Sequence, residues 1–288
     1  MVIRKIKIIL EMIKFEHTLF ALPFAFLGAI LGSVIINGHL PTLSQWVWIT
    51  LAMVGARSAA MSLNRVIDAQ IDKHNPRTAD RAVPAGLVSK AEVLLFIIVS
   101  FALLFYSAYQ LNMLAVYLLP VAVFFLVIYS YTKRFTWACH LILGVTIGLA
   151  PLGGWVGTTG TLTWEAMLLF LGVALWTAGF DVIYACQDAD YDKENGLYSI
   201  PSYFGIAKAL NMAKSFHVVS FLALVSLFFV MPLGIIYLIG VLISGGIMLY
   251  EHSLVKPNDL SKVGVAFFTM NGILAIVMLV FTIGDILL

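Results

Sequence analysis

Two short runs concentrate the residues able to do chemistry. The first, Asn64-Arg65-Val66-Ile67-Asp68-Ala69-Gln70-Ile71-Asp72, places Asn64, Asp68 and Asp72 four residues apart. The second runs from Asp181 to Asp192; Tyr184, Asp188 and Asp192 share that spacing, and Asp181 adds a carboxylate three residues before the tyrosine. On a helix of about 3.6 residues per turn each set forms one narrow stripe. Asp190 falls roughly opposite Asp188 and Asp192. Like carboxylates in a stripe repel one another and call for a cation. Mg²⁺ prefers oxygen ligands and commonly takes one or two carboxylates together with phosphate oxygens. Two facing stripes, with Asn64, Asp68 and Asp72 on one side and Asp188 and Asp192 on the other, therefore suit a diphosphate held through Mg²⁺. Ordinary solvated helix ends also carry Asp. Against that reading, eight of the chain's 15 acids lie within Asp68–Asp80 and Asp181–Glu194.

Basic residues lie in the same connections: Arg77, Arg81, Lys133, Arg134 and Lys193. They are candidates for contacting the phosphates. Arg57 stands apart, two turns before Asn64 within an apolar stretch. Intramembrane ionisable groups are costly and mark function by default. A guanidinium fork matches a carboxylate, so Arg57 is expected to anchor an acidic substrate, with neutralisation of Asp68 or snorkelling as the alternatives.

The elements that must position these residues are transmembrane helices. The chain has 288 residues, 61% hydrophobic and 11% charged, against about 25% charged in soluble domains. A net charge of +2 and two cysteines, Cys139 and Cys186, give no sign of nucleic-acid binding or a disulfide framework. At roughly 20 apolar residues per span, the candidates are Thr18–Asn37, Ser44–Asn64, Ala91–Tyr109, Asn112–Tyr131, Trp137–Thr158, Trp164–Cys186, Ser215–Val230, Leu233–Tyr250 and Val263–Ile283. The expected fold is all-α and polytopic, one domain over residues 1–288, with nine transmembrane helices. Residues 1–17 alternate basic and apolar at helical spacing and are read as an interfacial helix. Of 17 basic residues, 15 fall in alternate connections, which places the N-terminus and both acidic runs in the cytoplasm. The runs lie 120 residues apart, each before a polar connection with Pro and Gly, and suggest two pseudo-repeats sharing a site. The six His have no metal-ligand spacing, and the Gly-x-x-x-Gly pairs at 28, 144 and 153 are packing faces.

These residues resemble the UbiA superfamily of intramembrane aromatic prenyltransferases, and within it the 4-hydroxybenzoate polyprenyltransferases. That family carries N-x-x-x-D-x-x-x-D and D-x-x-Y-x-x-x-D-x-x-x-D, both present here in order. Arg57 matches an Arg seven before the Asn, Arg77-Thr78-Ala79-Asp80-Arg81 with Pro84 and Gly86 matches a basic Pro/Gly stretch, and Lys133-Arg134 a basic stretch after helix four. The resemblance covers residues 14 to about 206. Three positions depart from it: Arg65 stands where many members have Asp, Ala82 where Pro is expected, and His17-Thr18 where Lys-Pro is common.

The resemblance implies a Mg²⁺-dependent inner-membrane enzyme with its site at the cytoplasmic side. It would move a polyprenyl group from a polyprenyl diphosphate to a ring carbon of an aromatic acid in quinone biosynthesis. 4-Hydroxybenzoate is the expected acceptor, and a dihydroxynaphthoate of menaquinone biosynthesis the alternative. Asp68, Asp72, Asp188, Asp192 and Arg134 would be catalytic. Tyr184 or Asp181 would orient or accept the phenolic proton. Arg57, Asn64, Arg77, Arg81, Lys133 and Lys193 would bind substrate. A transporter is the rival class, but its inverted repeats and midplane charges fit poorly with two acidic runs at one face. Cysteine labelling in intact cells is expected to place Lys73–Lys90 and Lys193–Lys214 on one side of the membrane and Leu288 on the other. The two acidic connections on opposite sides would exclude a shared site.

Overall fold

The structure, a computed structural model, describes residues 2–13 and 18–288, with side chains described for 5–13 and 22–288. No strand occurs among these residues. Helix α1 (Val2–Met12) precedes α2 (Thr18–Gly32), which continues as a π-helical turn over Ser33–Asn37. Then come α3 (Leu43–Ile67), α4 (Ala69–His74), α5 (Lys90–Leu111), α6 (Met113–Thr132), α7 (Cys139–Thr159) and α8 (Trp164–Ala185). A 3₁₀ turn at Cys186–Asp188 leads to α9 (Ala189–Glu194), α10 (Ile200–Phe204), α11 (Ile206–Val230) and α12 (Ile235–Leu254). A π-helical segment, Val265–Met270, runs into α13 (Asn271–Leu287).

Among the described residues, eight helices are long and apolar enough to cross a membrane: α3, α5, α6, α7, α8, α11, α12 and the π segment with α13. The expected first span is represented by a shorter apolar helix, Leu22–Asn37. The seventh span, expected to be the shortest, lies in the 25-residue α11. Lys208 and Lys214, read as part of a connection, therefore lie in the first turns of that helix. Backbone hydrogen bonds must be satisfied within the helix in lipid, and the helix extends to Gly205, whose φ of +82° ends the preceding turn.

Helix starts follow local chemistry. Thr42 with Gln45 and Ser89 with Glu92 form capping boxes at α3 and α5. Asn112 and Thr163 accept from the backbone N–H groups of Ala115 and Ala166 at α6 and α8. The last turn of α7 is bound from three other elements. Asn37 and Gln45 both donate to the Thr158 carbonyl, and Asn112 donates to those of Val156 and Gly157.

Outer faces expose large apolar side chains such as Leu95, Ile98, Phe105, Tyr109, Tyr117 and Phe124, the surface expected of a protein solvated by lipid. The largest buried cluster joins α2, α7, α8, α11, α12 and α13 around Trp155, Leu169, Leu224 and Leu274. Helix α1 lies against α5: Ile9, Met12 and Ile13 pack with Val88, Val93 and Ile97, and Lys5 pairs with Glu92 at 2.6 Å. Lys7 and Glu11 stay exposed. Of the residues expected on the apolar face of this helix, Ile6 is exposed. His17 and Lys14, in the segment read as interfacial, lie outside the described residues.

Helices α2 and α7 approach through glycine. A Cβ on Gly28 would collide with the Pro151 carbonyl, and one on Gly154 with the Ala25 carbonyl. Such reciprocal small-residue contacts let membrane helices meet backbone to backbone. Gly153 faces open space. Gly28→Val and Gly154→Val are each expected to cost at least about 1–3 kcal/mol by overpacking, read as a lowered melting temperature in detergent. Gly153→Ala, on the same helix, should leave it unchanged.

Candidate active site

Both acidic runs lie where a long apolar helix gives way to a short polar one. Helix α3 ends at Ile67, Asp68 occupies the junction, and α4 carries Asp72. Helix α8 ends at Ala185, Asp188 closes the 3₁₀ turn, and α9 carries Asp192. The stripes expected on unbroken helices are thus interrupted at Asp68 and Asp188, the corresponding positions of the two runs. The backbone bonds from Asp68 N to Asn64 O and from Asp72 N to Asp68 O, both 2.8 Å, keep the first stripe in helical register across its break.

Basic side chains from other elements meet these carboxylates. Asp68 is nearly fully buried and is held by Lys133 Nζ and by Arg134 Nη2, each at 2.9 Å. Asn64 Nδ2 donates to its Oδ2 at 2.9 Å. Arg134 also donates to the carbonyls of Ile67 and Ser130, at 2.9 and 2.6 Å. It thereby caps α3 while neutralising the acid that follows it. Asp72, also buried, accepts from Arg81 Nη1 through both oxygens at 2.7 Å. Asp188 takes a two-point contact from Arg77, Nε at 2.9 Å and Nη2 at 2.5 Å, the fork geometry that makes arginine pairs strong.

The Arg77 pair crosses from the connection after the first run to the second run, so the fold brings the two runs together. Tyr191 adds a second link, its hydroxyl donating to the Ile71 carbonyl at 3.1 Å. Lys133 is a third: it pairs with Asp68, and its carbonyl accepts from Tyr198 N, beyond the second run, at 2.7 Å. Burial disfavours the charge on Arg77, but the hydrogen bond and charge of Asp188 outweigh it and hold the guanidinium above its ordinary pKa. Tyr184 completes this corner. Its hydroxyl accepts from Arg77 Nη1 at 3.2 Å, and its ring lies 5.6 Å from the guanidinium carbon.

Other candidates sit differently. Asp181 is engaged by His140 Nδ1 at 2.6 Å. Lys193 and Asp190 are exposed, and among the described residues neither joins an ion pair. Arg65 turns to the Met12 carbonyl (3.4 Å) and ties α3 to α1. Ala82 packs under α1 in the same cluster as Ile9 and Ile13. His140, Ser130, Tyr191 and Tyr198 were not singled out by sequence. Their partners lie tens of residues away, and only helix packing brings them in.

Arg57 does not neutralise Asp68, whose charge is met by Lys133 and Arg134. It lines an apolar cavity of about 270 Å³ among α2, α3, α5, α6 and α7. Among the described residues Arg57 is the one charged side chain on its wall, beside Ala56, Ala60, Met61 and Tyr129. Its Nε is buried with no hydrogen-bond partner, and among the described residues Arg57 makes no ion pair. Buried polar groups are as a rule paired, and the Arg57 Nε is an exception among the described residues, on the half-buried side chain that reaches the cavity wall.

The donor set suits a hard cation such as Mg²⁺, being oxygen-rich and gathered at one end of the helices. Among the described residues no three carboxylate, imidazole or thiol groups converge on a point. A metal here would take few protein ligands and complete its shell with phosphate oxygens.

Residues 21–273 match the UbiA prenyltransferase family. The 4-hydroxybenzoate octaprenyltransferase of Vibrio cholerae serotype O1 is 34% identical over 166 residues, 58% of this chain and 58% of that protein; the chain thus spans under two thirds of the length of such relatives. A UbiA homologue from Aeropyrum pernix K1, solved in its apo form, superposes with a TM-score of 0.85 at 31% identity, covering 94% of this chain and 98% of that one. A UbiA homologue from Archaeoglobus fulgidus bound to GPP and Mg²⁺ shares the fold, with a TM-score of 0.75 at 18% identity over 98% and 100% of the two chains. The family match over most of the length, the ordered motifs and the shared membrane fold agree: this chain belongs to the UbiA prenyltransferase family.

Proposed function

We propose that this protein transfers a polyprenyl group from a polyprenyl diphosphate to a ring carbon of an aromatic acid, 4-hydroxybenzoate, in quinone biosynthesis. The observation that carries the reading is Arg57: a half-buried guanidinium, its Nε buried without a hydrogen-bond partner among the described residues, on the wall of an apolar cavity, about two turns or ~10 Å along α3 from Asn64. A long isoprenoid needs apolar walls, a diphosphate needs cations, and an aromatic acid needs one fixed positive charge between them. The names of the relatives fit: one set is called 4-hydroxybenzoate octaprenyltransferase, and a structural neighbour is described as bound to GPP and Mg²⁺.

In this reading Asn64, Asp68 and Asp72 on one side and Asp188 and Asp192 on the other would hold Mg²⁺, which when bound would supply positive charge to a diphosphate. Arg77, Arg81, Lys133, Arg134 and Lys193 act beside it. Their present partners are carboxylates, and an incoming diphosphate offers them further anionic oxygens. The allylic C–O bond breaks and its electron pair leaves on the diphosphate, where these cations stabilise the charge. The ring carbon ortho to the phenol attacks the allylic carbon, forms the C–C bond and then loses its ring proton to the released diphosphate. Tyr184 or Asp181, the latter held by His140, orients the acceptor or takes up the phenolic proton. Arg57 pairs with the acceptor's carboxylate. The apolar cavity excludes the water that would quench the cation. We place the chain as one domain of nine spans and two pseudo-repeats in the inner membrane, with the N-terminus and site cytoplasmic, following the basic connections.

EDTA is expected to abolish prenyl transfer and Mg²⁺ to restore it. Asp68→Ala and Asp188→Ala should each lower turnover by about 10³-fold or more, since groups acting as a unit fail together. Near-normal turnover in either variant would remove these residues from the site.

Arg57 separates acceptor from donor recognition. Arg57→Ala should raise KM for the aromatic acid by about 10²-fold and Arg57→Lys by less, with donor KM changing little, as expected when a charge-assisted fork is lost. A benzamide analogue should be a poor acceptor for the wild type and lose little more on the mutant. If Arg57→Ala weakens the donor instead, the carboxylate-anchor role is wrong.

A further inference from the structure

The proposed mechanism leaves unused a buried polar cluster where α8, α12 and α13 meet. Glu251, in the spanning helix α12, is 0% exposed. Its Oε1 accepts from Asn271 Nδ2 at 3.3 Å, and its Oε2 has no hydrogen-bond partner among the described residues. Asn271 is the hub. Its Nδ2 also reaches the carbonyls of Ala266 and Phe267, at 3.1 and 3.0 Å, and its Oδ1 accepts from Trp176 Nε1 at 2.8 Å. Both carbonyls belong to the π-helical turn Val265–Met270 that opens α13. Such turns interrupt the ordinary helical ladder and occur often at functional sites. A core position that needed only packing would be met by leucine. An asparagine here makes sense as a clasp on that turn.

The turn presents aromatic rings toward the acidic site. Phe267 lies 4.1 Å from the Tyr184 ring and 5.3 Å from that of Phe180, centroid to centroid. Phe180 in turn contacts Trp176 at 4.9 Å. Tyr184 touches Arg77 through both hydroxyl and ring, and Arg77 grips Asp188. A continuous run of contacts therefore joins the buried amide to the guanidinium that bridges the two acidic runs.

We propose that Asn271, clasped by Trp176 and Glu251, is a positioning residue for this site. It fixes the π-helical turn so that Phe267 braces Tyr184, and Tyr184 then keeps Arg77 on Asp188. The inference rests on the prenyltransferase reading only for its effect on turnover; the mechanical coupling is a property of the protein alone. Amide hydrogen exchange on the purified, substrate-free protein therefore comes first. Asn271→Leu is expected to speed exchange across residues 181–192 by about 10-fold while that of α5 and α6 stays unchanged. Trp176→Phe keeps a ring and removes one donor. It should act in the same direction and more weakly, and serves if Asn271→Leu does not fold.

In the transfer assay, Asn271→Leu should raise donor KM by about 10-fold through Arg77 and also weaken use of the acceptor through Tyr184. Added to Tyr184→Ala it should cost little more, because the two residues act in series, whereas a merely structural role gives additive losses. Unchanged exchange at 181–192 in the folded variants, or additive losses, overturns the proposal. Coupled exchange in a protein that transfers no prenyl group would leave the positioning role standing and refute the prenyltransferase reading instead.

Discussion

Neutralising two rows of carboxylates at the ends of apolar helices is the constraint on which the rest of the structure depends. Asp68 and Asp72 are nearly fully buried, and a carboxylate withdrawn from water without a partner is unstable. Each takes its counter-charge from elsewhere in the chain. Lys133 and Arg134 come from the end of α6, Arg81 and Arg77 from the connection before α5. These pairs fix where α6 ends relative to α3. Through Arg77 and Asp188 they also draw α8 against the first half of the chain. Ion pairs of this kind add little net stability. Their effect is to specify geometry and keep anion-binding groups gathered at one face.

The same constraint divides the interior in two. The ion-paired acids of the two runs lie together, whereas among the described residues the cavity is apolar except where Arg57, Tyr129 and Thr146 reach its wall. Small residues make that cavity possible. Alanines at 52, 56, 60 and 108 line it, and glycines at 28 and 154 let α2 and α7 close tightly beside it. Arg57 is anomalous by the rule that governs the acids, since its charge is not met within the described protein. Asp68 and Asp72 have counter-charges in the structure and Arg57 has none among the described residues, which is the basis for proposing that it receives an anionic ligand.

Much of this was legible in the sequence. The 61% hydrophobic content and the alternating basic connections gave a helical membrane protein, and four-residue spacing put the Asp side chains on common faces. Span limits were less legible where a helix carries charge in its first turns: Lys208 and Lys214 sit in α11, and hydropathy alone places them outside it. The breaks at Asp68 and Asp188 were not foreseen, because spacing is blind to a local bend at the first and a 3₁₀ turn at the second. His140, Tyr191 and Asn271 escaped for a different reason. None has a sequence neighbour with which to form a motif. Their roles come from partners 41, 120 and 95 residues away, respectively Asp181, Ile71 and Trp176.

The central claim is that one site joins a diphosphate clamp to a carboxylate receptor within the membrane. The most direct measurement supplies membranes containing this protein with a polyprenyl diphosphate, Mg²⁺ and a panel of acceptors: 4-hydroxybenzoate, a dihydroxynaphthoate, neutral phenols and lipid alcohols. Products would be identified by mass spectrometry. The account predicts a carbon-prenylated product from an aromatic acid and release of diphosphate. Prenylation of a neutral phenol or lipid alcohol with no product from any aromatic acid would contradict it.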